Sequence, residues 1–417
     1  MLDRRSAPEV HKISDVNFQQ SKEETLPNGA LLALLESGEQ EVVKVEVVFL
    51  NAGNKSEALK GQGSMAIRML KEGTTSYSAA EITNRFSELG AYIEVNPGFD
   101  NSSVAIYCLD KHLKQLLPVF SEILQSPTFE EKELQLQKEL QIAQLRVQNK
   151  KNNILASKGI RQAIFSPSNP YGRIISEADI QTIKPEHLLS FWNDSKNNFD
   201  VLVCGAPSNS SVDAIRDIFG SKMTYESKTF EAISISSEEQ KSASNESIQA
   251  SIRLGKRTLL KNDPDYIPLL ITNHLLGGFF GSRLMKNIRE DKGLTYGISS
   301  SLIPLQEDAY WVIGAEVNID NVDLALKEIQ TEIHRLSEFK SEEELETAKT
   351  HMMGSFQSEL NSPFALMNRY KSVHLHGLDY TFYDQLFRTL SSFTSSDLRA
   401  TAEKYLIRGS LEQVVIN

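Results

Sequence analysis

The stretch Gly61-Gln62-Gly63-Ser64-Met65-Ala66-Ile67-Arg68-Met69-Leu70-Lys71-Glu72-Gly73-Thr74 decides how this chain is to be read. Met65, Ala66, Met69 and Leu70 share one side of a helix, so a short amphipathic core helix with that side turned inward is predicted. Ser64, Ile67 and Arg68 offer a neutral hydroxyl, a hydrocarbon and a fixed cation. None of these is a strong metal ligand.

Downstream, Ser78 and Glu81 form a capping-box pair opening a helix to Leu89, with Ile82, Phe86 and Leu89 on one face and Gly90 as its stop. An extended stretch from Ala91 to Asn96, a turn at Pro97-Gly98 and the alternating Val104, Ile106 and Cys108 predict a hairpin. Leu113, Leu116, Leu117, Phe120, Ile123 and Leu124 then mark a core-facing helix, and Phe129-Glu130-Glu131 leads into a long polar one. The same order recurs roughly two hundred residues later, the self-similarity of a duplicated unit. There Ser282 to Arg289 reads as a helix ending before Gly293, and Leu294 to Ser301 and Tyr310 to Val317 as paired strands. Val322, Ala325, Leu326, Ile329 and Ile333 mark the next helix, followed by Phe339 and Glu342-Glu343-Glu344. Between the halves, Ile233 to Ser247 is rich in Ser and Glu and suits an exposed linker. The predicted organisation is α+β: two related domains, 1–230 and 248–417, joined by a linker at 231–247, each a mainly antiparallel sheet with helices packed on one face.

The chain has 417 residues, ample for two domains with sizeable cores. A formal net charge of −11 without clustered cations argues against non-specific binding to nucleic acid or anionic lipid. Cys108 and Cys204 are the only cysteines, so neither a disulfide framework nor a thiolate zinc site is suggested. No apolar run reaches membrane-spanning length, and Met1 to Val16 lacks an apolar signal core. A soluble protein is expected, cytoplasmic or periplasmic, with the compartment left open by the possibility of a leader removed before this numbering begins. His374-x-His376 is the one close histidine pair. Two imidazoles at that spacing share a face on a strand but not on a helix, no convergent carboxylate or Cys can be assigned nearby, and ordinary surface or packing histidines are the favoured account.

Three segments carry a family resemblance. Residues 61–74 resemble, without a gap, the G-x-x-H-F-L-E-H-x-x-F-K-G-T stretch of peptidase family M16, the pitrilysin or insulinase family. Pro170-Tyr171-Gly172-Arg173 matches a P-Y-G-R signature late in that family's first domain. His274-Leu275-Leu276-Gly277-Gly278-Phe279-Phe280-Gly281-Ser282-Arg283-Leu284 resembles its glycine-rich turn, and Arg289, Gly293, Leu294 and Tyr296 fit its R-x-x-x-G-L-x-Y pattern. The resemblance covers essentially the whole chain and implies two α/β domains facing each other as a clamshell.

In the inverted zincin motif H-x-x-E-H, two histidines hold Zn²⁺ and the glutamate serves as general base for a metal-bound water. The resemblance places Ser64, Ile67 and Arg68 at those positions and Gln144, by alignment of Ala143-Gln144-Leu145-Arg146 with E-E-I-R, at the third ligand. No metal is therefore expected in this chain. Arg289 and Tyr296 correspond to residues that in catalytic relatives reach the scissile peptide from the second half or from a partner subunit. A guanidinium and a phenol suit the oxyanion that builds when water attacks a peptide carbonyl. On local physics alone, Arg289 complements a helix dipole and Tyr296 packs on a sheet. Glu94 and Val95 fall in the strand that pairs with substrate backbone in the family, in place of its usual Asn-Ala; an edge strand carrying a charge against aggregation is the other account. The resemblance thus implies a non-catalytic subunit of a two-component peptidase, with zinc in an H-x-x-E-H partner and a peptide as substrate. The alternative is a structural or interaction protein like the family members that serve as core subunits of a respiratory complex.

Overall fold

The computed structural model describes residues 18–38, 41–227 and 248–417. The expected linker at 231–247 and the amino-terminal stretch Met1 to Val16 lie outside the described residues. In the first half the chain runs through β1 (Lys22–Thr25), β2 (Leu31–Glu36), β3 (Val42–Phe49), α1 (Gln62–Met69), α2 (Ala79–Ser87), β4 (Tyr92–Asn96), β5 (Ser102–Leu109), α3 (Asp110–Gln125), α4 (Glu131–Gln148), α5 (Asn152–Phe165), α6 (Glu177–Thr182), α7 (Pro185–Ser195), β6 (Phe199–Gly205) and α8 (Asn209–Asp217). The second half adds β7 (Gln249–Arg257), α9 (Tyr266–Gly277), β8 (Thr295–Pro304), β9 (Ala309–Asn318), α10 (Val322–Arg335), α11 (Glu342–Ser358), α12 (Pro363–His374), α13 (Thr381–Ser392), α14 (Ser395–Thr401) and β10 (Glu412–Ile416).

This is the expected α+β arrangement. One sheet has the order β1-β2-β6-β3-β5-β4 and the other β10-β7-β9-β8. All strand pairs are antiparallel except β2 with β6. The parallel pair arises because β6 follows a long helical excursion and inserts between β2 and β3. Local chemistry works as the residues suggest. Ser78 Oγ accepts the Glu81 N–H at 3.3 Å while Glu81 Oε2 accepts the Ser78 N–H at 2.8 Å. Ile82 and Phe86 are buried, and Gly90 turns the chain away at φ +62°.

The expectation of helices on one face of each sheet needs correction, because neither opposite face is bare. On β3, Val43, Val45, Val47 and Phe49 enter the large core beneath α1 and α3, so Lys44, Glu46 and Val48 point the other way. That second face is covered by α12 from the other half: Leu366, Met367 and Tyr370 pack on Ala33, Leu35, Val48, Leu202 and Cys204. Reciprocally, α5 of the first half lies against β7 and β10 of the second sheet. The approach is close enough that a Cβ on Gly159 of α5 would sit 3.1 Å from Val414. Each half therefore lends a helix to the other.

Polar groups on this inner face are paired. Glu46, 1% exposed, accepts from Lys44 at 2.8 Å and from Lys371 of α12 at 2.5 Å. Burial alone would raise the Glu46 carboxyl, but Lys371 and Lys44 outweigh it and hold it down at about 2. Nearby, His374 Nε2 lies 2.7 Å from Asp200 Oδ2. Burial pulls this imidazole down, and the bond and charge of Asp200 overcome that to leave it raised. At the rim, Lys55 reaches Gln306 at 3.0 Å and Glu307 at 2.9 Å.

Glu46→Gln leaves the buried Lys44 and the half-buried Lys371 without their shared counter-charge and is expected to cost about 3 kcal/mol in urea unfolding at pH 7. Because the Glu46 pKa is depressed, its contribution is present above the ordinary carboxylate range and is lost as pH falls toward 2, a slope that the variant should lack. The His374 contribution has the opposite sign. It is fully present below about pH 6.5 and is lost as pH rises through the raised value. Unfolding free energies between pH 5.5 and 8.5 should show that loss in the native chain and not in Asp200→Asn.

Candidate functional site

Helix α1 opens at Gly61, at φ +84°, which has no side chain to cap it. Glu57 supplies the cap from outside: its Oε1 accepts the Gly61 N–H at 3.0 Å and its Oε2 the Gly63 N–H at 3.1 Å. A carboxylate at a helix start complements the macrodipole. Burial nevertheless dominates and pushes the Glu57 carboxyl up to about 7, against those two amides and the charge of Arg173. The residue was not singled out from the sequence; an acidic side chain a few positions before a glycine-rich helix start is its only signal.

Along α1, Met65, Ala66, Met69 and Leu70 are buried as expected. Ile67 is 0% exposed and belongs to the same core. Ser64 and Arg68 lie on the half-buried side, Ser64 Oγ donating to the Gly61 carbonyl at 3.1 Å. Gln144 sits on an exposed part of α4 beside Arg146, which pairs with Glu177. A hydroxyl, a guanidinium and an amide do not fit Zn²⁺, which takes thiolate, imidazole or carboxylate. Among the described residues no group of three or more His, Cys, Asp or Glu is gathered as a metal site. His374 ends α12 rather than standing on a strand, and His376 Nδ1 lies 3.1 Å from the Ser372 carbonyl, so the two histidines answer to different partners.

The second half presents its groups differently. The expected helix from Ser282 to Arg289 is instead wound wide over Met285–Asp291, with the Lys292 N–H reaching back to Asn287 at 3.1 Å. This winding keeps Met285 and Ile288 in the core while Asn287 donates to Glu332 at 2.9 Å. Gly293 then leaves at φ +63°, the left-handed conformation in which a side chain is strained. Arg289 lays its guanidinium over exposed Phe280, 4.6 Å from the ring centroid. On β8, the outer strand of its sheet, the pairing with β9 slips between Thr295 and Ile298. Thr295 Oγ1 braces the irregularity by accepting the Gly297 N–H at 3.2 Å and donating to the Glu316 carbonyl at 2.6 Å. Tyr296, within the slip, is 87% exposed. A bulge that re-aims one side chain is a device found beside functional sites. Tyr296 does not pack on the sheet, and among the described residues it makes no hydrogen bond to Arg289.

In the first sheet, β4 is one of the two edge strands. Val95 faces the core, and Glu94 Oε2 accepts from Tyr107 Oη at 2.8 Å. The P-Y-G-R segment is structural in its contacts: Tyr171 Oη donates to Asp100 at 2.5 Å, and Arg173 Nη1 to the Asn54 carbonyl at 3.2 Å.

Residues 32–176 match the family model described as insulinase, peptidase family M16, and residues 182–352 match the peptidase M16 inactive domain. Two curated relatives differ in what their names say. An uncharacterized zinc protease of Bacillus subtilis is 24% identical over 358 residues, covering 84% of this chain and 86% of the relative. A non-peptidase homolog of Helicobacter pylori is 21% identical over 366 residues, covering 85% and 84%. In fold, the chain is similar to the crystal structure of a peptidase M16 inactive domain from Pseudomonas fluorescens, with a TM-score of 0.83, 22% identity and coverage of 95% and 98%. Two sheets with their helices, both halves matched by models of one family and relatives spanning most of the length lead to one assignment: this chain belongs to peptidase family M16.

Proposed function

We propose that this chain is a non-catalytic subunit of a two-component M16 zinc metallopeptidase, with 1–230 and 248–417 as its two M16-like domains. Ser64, Ile67, Arg68 and Gln144 stand at the family's zinc and base positions and leave the metal to an H-x-x-E-H partner. Arg289 and Tyr296 act in trans on the peptide bound there. The observation that carries this reading is Tyr296: a bulge holds it almost fully in solvent, where a phenol has no packing role, while the positions for metal chemistry hold groups unsuited to it. Donors fixed before reaction stabilise the oxyanion more than the ground-state carbonyl and so raise turnover. Peptide would add to the unpaired edge of β4 through backbone hydrogen bonds. Glu94 is engaged by Tyr107 and Val95 by the core, so the strand's backbone rather than these side chains would receive it.

The second reading is an M16-fold interaction protein with no role in proteolysis, and the name of the Helicobacter pylori relative favours it. Reconstitution separates the two. The chain mixed with the H-x-x-E-H relative of its own organism should hydrolyse peptide where neither does alone, and the chain by itself should show no chelator-sensitive activity. Tyr296→Phe and Arg289→Ala should each lower turnover of the complex about 10²-fold with the fold intact. Unchanged turnover in both variants rejects the role in trans, and no activity in the mixture leaves the structural reading.

The degenerate helix has its own test. Ile67→Glu, the residue the motif would require, puts a carboxylate into a closed core and should destabilise the chain by about 3 kcal/mol or more in chemical unfolding. Undiminished stability would mean that this position opens to solvent as it must in a working zinc site.

A further inference from the structure

Between the start of α1, the end of α4, α5 and the segment after Pro170 lies a cavity of about 190 Å³ whose walls carry Lys158, Arg161 and Arg173. Arg173 is only 5% exposed. Its Nη1 is spent on the Asn54 carbonyl, but Nε and Nη2 are buried without a hydrogen-bond partner, as is Nε of Arg161. Nε and Nη2 are the side-on edge of the guanidinium, two parallel donors whose spacing matches two oxygens of one oxyanion. Arg161 is fixed over the ring of Phe99, 5.2 Å from its centroid, and Lys158 has a single neutral contact, to Asn149 Oδ1 at 2.9 Å.

Buried cations are ordinarily paired, and buried donors are ordinarily satisfied. Here the one carboxylate in the wall, Glu57, has both oxygens committed to the Gly61 and Gly63 amides. None of the three cations has an ion-pair partner within 4.0 Å among the described residues, and burial lowers the pKa of each. A general basic surface is not the explanation, since the whole chain carries a formal charge of −11.

We propose that this cavity is a binding site for a small phosphate-class oxyanion, held bidentately by the Nε–Nη2 edge of Arg173 and completed by Arg161 and Lys158. The volume is enough for an inorganic oxyanion or a small phosphomonoester. Binding fills orphaned donors and neutralises cationic charge that Glu57 offsets only in part. The site joins α5, which covers the second sheet, to the loop of Asn54, whose neighbour Lys55 bonds Gln306 and Glu307, so a bound anion braces the contact between the halves.

Calorimetric titration of the full chain with inorganic phosphate, sulfate and methyl phosphate, at constant ionic strength set by chloride, tests this. Saturable one-to-one binding with a raised thermal midpoint is expected. Arg173→Lys keeps the charge but removes the side-on edge and should weaken binding at least tenfold, and Lys158→Ala should weaken it several-fold with the circular dichroism unchanged. Methyl phosphate binding as tightly as the free ion assigns the site to a phosphorylated ligand, and preference for the free ion assigns it to inorganic phosphate. Should Arg173→Lys fail to fold, Lys158→Ala and Arg161→Lys decide. No saturable binding over chloride, or affinity unchanged in every folded variant, overturns the proposal.

Discussion

A β-sheet exposes two faces, and in each half of this chain the local helices cover only one. The other face would leave apolar side chains such as Ala33, Val48 and Leu202 in water, together with Lys44 and Glu46, which are buried on the same side. The solution is an exchange: α12 crosses to the first sheet and α5 to the second. Burying a large apolar side chain is worth roughly 1.5–3 kcal/mol. The few such residues that α12 contributes therefore amount to a sizeable fraction of a typical net stability of about 5–15 kcal/mol. Glu46, between Lys44 and Lys371, makes the docking specific, because a slip of α12 would strand a buried charge.

The exchange also bears on the candidate site. With α12 on the inner face, what remains accessible lies at the sheet margins, and the two margins differ in character. At β4 the first sheet offers an unpaired strand edge, with Glu94 and Val95 already engaged. At β8 the second sheet offers a bulge that projects Tyr296. A backbone edge can hold an extended peptide, and a projecting phenol can donate to a developing oxyanion. These two margins are what the proposed role in trans would draw on.

Helix α1 is held by packing and by a cap from outside itself. Its inward residues, its Glu57 cap and its closing turn at Gly73 keep the helix in place, because those features serve packing. Ile67, fully buried, extends that packing to the position that the resemblance pairs with the motif's glutamate. Beside it, Arg173 is held by Asn54 and Asn54 by the turn at Gly98, so the guanidinium is positioned whether or not its free edge is occupied.

Much was legible in the residues themselves. Capping at Ser78, the hairpin around Pro97-Gly98, the stop at Gly293 and the apolar stripes of α3 and α10 depend on neighbours a few positions away, and periodicity records them directly. The absence of metal-binding side chains at Ser64, Ile67 and Arg68 is likewise a matter of residue type. Other features depend on which segments meet across long stretches of chain. That α12 covers the first sheet, that His374 answers Asp200, that Tyr296 sits on a bulge, and that three cations converge on one cavity all rest on contacts between residues far apart in sequence. A side chain's burial and partners set its charge and its function, and those are decided only when the two halves close on each other.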